Sequence, residues 1–270
     1  MSEMVEVAAG ACRRAGALLL ESFSRPARVS VKSSRYDLVT EYDTAAEQLI
    51  RQELSRAFPG SVVVGEEGGV TGSGELAWYV DPIDGTHNFA RGLPLFCVSI
   101  GVARGGRPVA GCVYDPVRDE LFSADADGFR LNGEPVRGPE KPSGALMGAG
   151  PPSPDAEGGR LPMLLTDLPN PGAPEAEVEV FRRLLATADV RRIGSSALAL
   201  AYVAAGRADV AANTDTFPWD IAAGRVLVTA SGGRFTELPA RGSGLPGGFV
   251  AWRPSADGLG RSLVHDLGSG

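Results

Sequence analysis

The run Trp78-Tyr79-Val80-Asp81-Pro82-Ile83-Asp84-Gly85-Thr86-His87-Asn88-Phe89 decides how the rest of the chain is read. Trp78 to Val80 are apolar and predict a strand, Asp81 stands at its end, Pro82 stiffens the turn, and Asp84 follows three residues after Asp81. Two carboxylates therefore meet at one strand terminus. Such a pair repels itself unless a cation lies between, and a hard cation such as Mg²⁺ favours oxygen ligands while keeping waters for a substrate. Gly85-Thr86 can then open a turn or helix whose free N–H groups face an anion. Asp-Pro and Asp-Gly are also frequent turn dipeptides, so the run alone leaves an ordinary turn open.

Further acids sit where they can join this pair. Gly65-Glu66-Glu67-Gly68 follows a buried-looking strand, Ser61 to Val64, so Glu66 can reach the same place, although a surface charge pair is the plainer reading. Trp219-Asp220 opens a predicted helix, where an acid commonly serves only to offset the helix dipole.

Outward from these runs, apolar spacing predicts a helix over Val5–Phe23 and another over Thr44–Phe58, the latter with Thr44 and Glu47 as a capping box. Between them lies an extended polar stretch, Lys32 to Asp43. Strands are predicted at 61–65, 77–80, 95–103, 108–114, 120–123 and 128–131, close enough in sequence to read as an antiparallel sheet. Glycine and proline thicken over 138–162, which reads as a boundary between halves or a surface insertion. Beyond it, strands (163–166, 190–193, 208–212, 234–236, 248–252) alternate with helices (175–187, 195–205, 218–231, 255–266). The fold class expected is layered α/β: an N-terminal α+β half over 1–138 and a C-terminal α/β half over 139–270, forming one unit.

Composition narrows the chemistry. Lys and Arg total 26 against 33 Asp and Glu, a net charge of −7, which leaves no global field for a nucleic-acid polymer or an anionic membrane. An anionic substrate would need metal ions or helix N-termini. Cys12, Cys97 and Cys112 lack CxxC spacing and read as small buried hydrophobes of a reducing, cytoplasmic protein. The early apolar stretch Ala15 to Leu20 is too short for a signal-peptide core, and nothing later approaches a membrane span. His87 and His265 are the only histidines, which leaves zinc unsupported, and no G-x-S-x-G elbow, P-loop or dinucleotide fingerprint occurs.

Taken in order, Gly65-Glu66-Glu67, Asp81 to Phe89, and Trp219-Asp220-Ile221-Ala222-Ala223-Gly224 with Ser231-Gly232-Gly233 resemble the signature blocks of the inositol monophosphatase family. Lys32-Ser33-Ser34 with Asp37 to Asp43 resembles its upstream block. The resemblance implies an αβαβα sandwich with an antiparallel N-terminal and a mixed C-terminal sheet, and Mg²⁺-dependent hydrolysis of a small phosphate monoester with two or three Mg²⁺ per subunit. It implies that Glu66, Asp81 and the Ile83 carbonyl hold one metal, and Asp81, Asp84 and Asp220 a second. Thr86 and Asp43 would orient the attacking water with Glu66, and the N–H groups of Gly85 and Thr86 would take the phosphate. Asp84, Gly194, Ser195, Ser196, Asn213 and Asp220 would line the substrate. For Asp43 the alternative is that it only caps the second helix. Relatives are frequently homodimers, and some also bind transcription machinery, so a non-catalytic interaction protein is the alternative from another class.

Several residues depart from the family pattern. His87 stands where many relatives carry a second threonine and reads as local packing, with a substrate contact as the alternative. Asn213 stands where inositol-using members commonly carry a glutamate for the substrate hydroxyls. Trp252 reads as core packing, with an aromatic wall for a base as the alternative. These changes leave the metal chemistry in place but open the substrate to inositol or sugar phosphates, histidinol phosphate, nucleoside monophosphates or aminocyclitol phosphates.

Overall fold

The computed structural model describes residues 1–23, 29–31, 38–136, 161–170, 173–240 and 247–268. The Lys32-Ser33-Ser34 block, Asp37, and the 138–160 part of the stretch read as a boundary or insertion lie outside the described residues. In chain order the elements are α1 (Glu3–Phe23), β1 (Val29–Val31), β2 (Leu38–Thr40), α2 (Glu41–Ala57), β3 (Val62–Gly65), β4 (Gly69–Thr71), β5 (Leu76–Asp84) and α3 (Thr86–Ala90). There follow β6 (Cys97–Arg104), β7 (Arg107–Asp115), β8 (Glu120–Asp125), β9 (Gly128–Leu131), β10 (Glu134–Pro135) and β11 (Met163–Thr166). The remainder is α4 (Glu175–Thr187), β12 (Asp189–Arg191), α5 (Ser196–Ala204), β13 (Val210–Thr216), α6 (Pro218–Ala230), β14 (Arg234–Leu238), β15 (Gly247–Trp252) and α7 (Asp257–Gly268).

Besides the antiparallel pair β1-β2, two large sheets organise the described residues, one of eight strands in the order β10-β9-β8-β7-β6-β5-β3-β4 and one of five in the order β12-β11-β13-β15-β14. Helices α1 and α2 cover the outer face of the first, α5 and α6 lie between the two, and α4 and α7 cover the outer face of the second. This is the αβαβα sandwich expected. Three apolar clusters fill the spaces between layers, and period-two alternation assigns each side chain to one of them. On β6, Val98, Ile100 and Val102 face α1 while Cys97 faces the middle layer. On β15, Phe249 and Ala251 face the middle layer while Val250 and Trp252 face α7. Among the described residues no helix is long and apolar enough to cross a membrane.

The structure departs from the expectations in two places that matter for the site. The first sheet is mixed, because β3 pairs with β5 in parallel and the unpredicted strand β4 occupies its edge. Helix α2 begins three residues early, and its capping box is Thr40 with Asp43, not Thr44 with Glu47. Thr40 is extended, its hydroxyl accepts the Tyr42 N–H, and the Asp43 carboxylate accepts the Thr40 N–H at 2.7 Å. Glu47 is thereby freed from capping.

Candidate metal and phosphate site

The site is assembled by register. In the parallel pair Gly65 stands opposite Val80, so the next residues, Glu66 and Asp81, come side by side. The Glu66 N–H donates to the Val80 carbonyl at 3.2 Å. Pairing of β5 with β6 is irregular between Asp81 and Asp84, where Pro82-Ile83 makes the turn and Asp81 Oδ1 accepts the Ile83 N–H at 3.0 Å. Asp81 also stands opposite Ser99 of β6, whose hydroxyl is 3.5 Å from the Trp219 carbonyl, which brings the first turn of α6 and Asp220 over the end of β5.

Close contact fixes α6 there. A Cβ on Gly101 would fall 2.4 Å from Ala222 Cβ, and one on Gly111 would fall 2.7 Å from the Ala223 carbonyl oxygen. No larger residue fits at either position without moving the helix. Asp220 is the third residue of α6, and its Oδ2 accepts the Phe217 N–H at 2.7 Å.

Asp84 lies across the N-terminus of α5. It accepts the Ser195 hydroxyl at 3.0 Å, the Ser196 N–H at 3.3 Å, and the Ala197 N–H. This joins the two halves of the chain at the predicted substrate-lining turn Gly194-Ser195-Ser196. Gly85 follows at φ 102°, a left-handed conformation, and a Cβ there would meet the Leu95 carbonyl oxygen at 2.8 Å. Helix α3 starts at the next residue, as the turn chemistry predicted. The Thr86 hydroxyl reaches both Asp43 Oδ1, at 3.1 Å, and the Ile83 carbonyl, at 3.0 Å. Asp43 thus both caps α2 and touches Thr86.

Electrostatically these acids are crowded. Burial holds Asp81 well above the ordinary carboxylate range, and the charges of Glu66, Asp84 and Asp220 push the same way. Asp220 is raised by burial and then by Asp84. Burial pushes Asp84 up to about 7 against its bonds from Ala197 and Ser195, and Asp43 up to about 6 against its bonds from Thr40. Among the described residues no Lys or Arg forms an ion pair with Asp81, Asp84 or Asp220. As placed, no three acids, histidines or cysteines among the described residues form a ready group of metal ligands, each of these three Asp side chains being turned toward a nearby N–H. The donor set still fits a hard divalent cation: it is all oxygen, and Asp81, Asp84 and Asp220 each retain lone pairs beyond those engaged.

The remaining expectations divide. Asn213 is buried, its amide donating to Ser196 Oγ at 3.3 Å and accepting from Asn170 at 3.1 Å, so it is committed to an internal network. Trp252 packs under α7 against Gly260 and donates to Asp257 at 3.1 Å, as the packing reading had it. His87, read as packing, is exposed, because it falls on the outer side of the short helix α3. Two positioning residues escaped the sequence reading. Asn88 donates to the Leu95 carbonyl at 2.7 Å and the Ile193 carbonyl at 2.8 Å, and Asp167 accepts the Gly194 N–H at 3.0 Å. Asn88 lies within the quoted run and was open to notice; Asp167 carries no local signal.

Comparison with known proteins agrees with the fold. The model of the Inositol monophosphatase family matches residues 1–253. Nus factor SuhB of Pseudomonas aeruginosa is 41% identical over 247 residues, covering 88% of this chain and 86% of that protein. The extragenic suppressor protein suhB of Bartonella henselae superposes with a TM-score of 0.81 at 30% identity over 100% of both chains. The Thermotoga maritima IMPase superposes at 0.80 with 28% identity, covering 98% of each.

Proposed function

The chain belongs to the inositol monophosphatase family, and from that premise we propose that it is a Mg²⁺-dependent phosphatase acting on a small phosphate monoester of the inositol or sugar-phosphate type. The observation that carries this reading is that Asp81 and Asp84 are buried at the end of β5 with half-buried Glu66 and Asp220 near enough for like charges to raise Asp81 and Asp220, a repulsion that a divalent cation would relieve. Glu66, Asp81 and the Ile83 carbonyl would hold one ion, and Asp81, Asp84 and Asp220 another. Bound Mg²⁺ supplies Lewis-acid stabilisation of the phosphate and lowers the pKa of the attacking water.

This chain's own groups do the orienting. When the Thr86 hydroxyl proton is committed to Asp43, the lone pairs of the Thr86 oxygen are left to accept from the attacking water. The backbone N–H groups of Gly85 and Thr86 would receive phosphate oxygens at the α3 start. Gly194, Ser195 and Ser196 would border the ester's organic part, with Asn213 behind Ser196 rather than on the substrate. Because Trp252 faces α7, it offers no wall for a base, which favours a polyol ester over a nucleotide.

A second reading follows from the relatives named Nus factor: a role in which the fold serves interaction rather than turnover. Phosphate release from inositol 1-phosphate, histidinol phosphate, fructose 1,6-bisphosphate, AMP and 3′-phosphoadenosine 5′-phosphate, with and without Mg²⁺, separates the two. Release of phosphate from one ester, abolished in a folded Asp84→Asn variant, supports the enzyme. Absence of turnover on every ester by a folded wild-type chain favours the interaction role.

A further inference from the structure

We infer that Glu47 is a positioning residue that holds the Glu66 turn against the site through its backbone, with Arg51 as its counter-ion; the inference rests on the metal reading above. Glu47 lies one helical turn after Asp43 on the same face of α2 and is only 1% exposed. Its Oε2 accepts the Glu67 N–H at 2.7 Å, and its Oε1 accepts the Gly68 N–H at 2.8 Å and Arg51 Nε at 2.7 Å. Arg51 continues the grip, donating to the Val63 carbonyl at 3.3 Å, the Gly69 carbonyl at 2.6 Å and the Thr71 hydroxyl at 2.7 Å.

One ion pair therefore ties α2 to β3, to the turn carrying Glu66 and to β4. The turn is packed directly on the carboxylate: a Cβ on Gly65 would fall 2.5 Å from the Glu47 carboxyl carbon, and one on Gly68 would fall 2.7 Å from its Oε1. Glu66 stands between Gly65 and Glu67, so its backbone is held on both sides, by the sheet and by Glu47. A glutamine at position 47 would keep one acceptor oxygen but present an NH₂ to a backbone N–H, and the turn would loosen. Groups that orient a metal ligand in this way commonly change metal affinity by roughly 10- to 100-fold when replaced.

The test is Mn²⁺ binding to the full chain, followed by the paramagnetic resonance of the free ion, together with amide hydrogen exchange over residues 65–71. The proteins compared are wild type, Glu66→Gln as the ligand control, Glu47→Gln, and Gly68→Ala. The last crowds the Glu47 carboxylate without removing it and serves if Glu47→Gln does not fold. The expected result is Mn²⁺ binding by wild type, loss in Glu66→Gln, and a drop of roughly 10- to 100-fold in the Glu47 variant with faster exchange confined to 65–71. Undiminished affinity in folded Glu47→Gln or Gly68→Ala, or exchange accelerated evenly across the chain, overturns the positioning role while leaving the metal site standing. No Mn²⁺ binding by wild type overturns the metal site itself, and the inference with it.

Discussion

At the scale of single residues, the run from Asp81 to Thr86 was open to reading because its parts are contiguous. A strand end, a proline and a glycine constrain one another within six residues, and the structure adds only which partner each carboxylate takes. Distant partners such as Ser195, Ala197 and Asp167 were not legible as such, since their bonds to Asp84 and Gly194 depend on how two layers stack. The capping of α2 was misread for a different reason. Thr44 and Glu47 match the S/T-x-x-E pattern, but Thr40 and Asp43 match it with a shorter acid, and burial of Asp43 beside Thr86 decides between them. Thr86 itself provides a sharp test. Thr86→Val keeps the shape but cannot accept from water or donate to Asp43, so phosphate release is expected to fall about 100-fold or more with the fold intact by circular dichroism. A loss of less than about threefold would remove Thr86 from the orienting role. Gly85→Ala should be harsher on stability, costing about 1–3 kcal/mol in urea unfolding, because a Cβ at φ 102° would also meet the Leu95 carbonyl.

Among the elements, helical periodicity and short β-rich runs placed most of the segments, and α4 fell at its predicted bounds. Pairing direction was not legible, because nearness in sequence suggests hairpins. The parallel pairing of β3 with β5, which sets Glu66 beside Asp81, depends on β4 folding back to take the sheet edge. The placement of α6 was equally hidden. It rests on Gly101 and Gly111, which in sequence look like unremarkable strand glycines but lie under the backbone of Ala222 and Ala223. Gly101→Ala therefore has two expected consequences: a loss of about 1–3 kcal/mol in urea unfolding from overpacking, and weaker Mg²⁺ binding as α6 carries Asp220 away. Unchanged stability and affinity would show that the helix can shift without moving the site.

Across the whole molecule, five layers bring acids from the β3–β4 turn, β5 and α6 toward one another, with Asp81 and Asp84 buried among them. Each acid held above its ordinary value keeps, in the folded state, a proton that the unfolded chain has already released. Stability of the metal-free protein is therefore fully present below the ordinary carboxylate value of 3.8 and declines as pH rises through about 6 for Asp43 and about 7 for Asp84. Depressed acids such as Asp125, bonded to the Ser2 and Asp127 N–H groups, contribute the opposite slope only at the acid end of that range. Melting temperatures of the metal-free chain are thus expected to fall between about pH 5 and pH 8, and Mg²⁺ is expected to reverse the fall most strongly at the alkaline end. A melting temperature that rises across that interval without metal would contradict the crowding of Asp81, Asp84 and Asp220.

The most direct test of the cluster as a cation site is calorimetric titration of Mg²⁺ into the metal-free chain near pH 7, in buffers of different ionisation enthalpy, with Asp220→Asn alongside. The account predicts binding by wild type with net proton release, because Asp84, with its value of about 7, and the acids raised with it must give up protons to the ion. It also predicts that the Asn variant loses much of that affinity. Binding without proton release and undiminished in Asp220→Asn, or no binding at all, would contradict it.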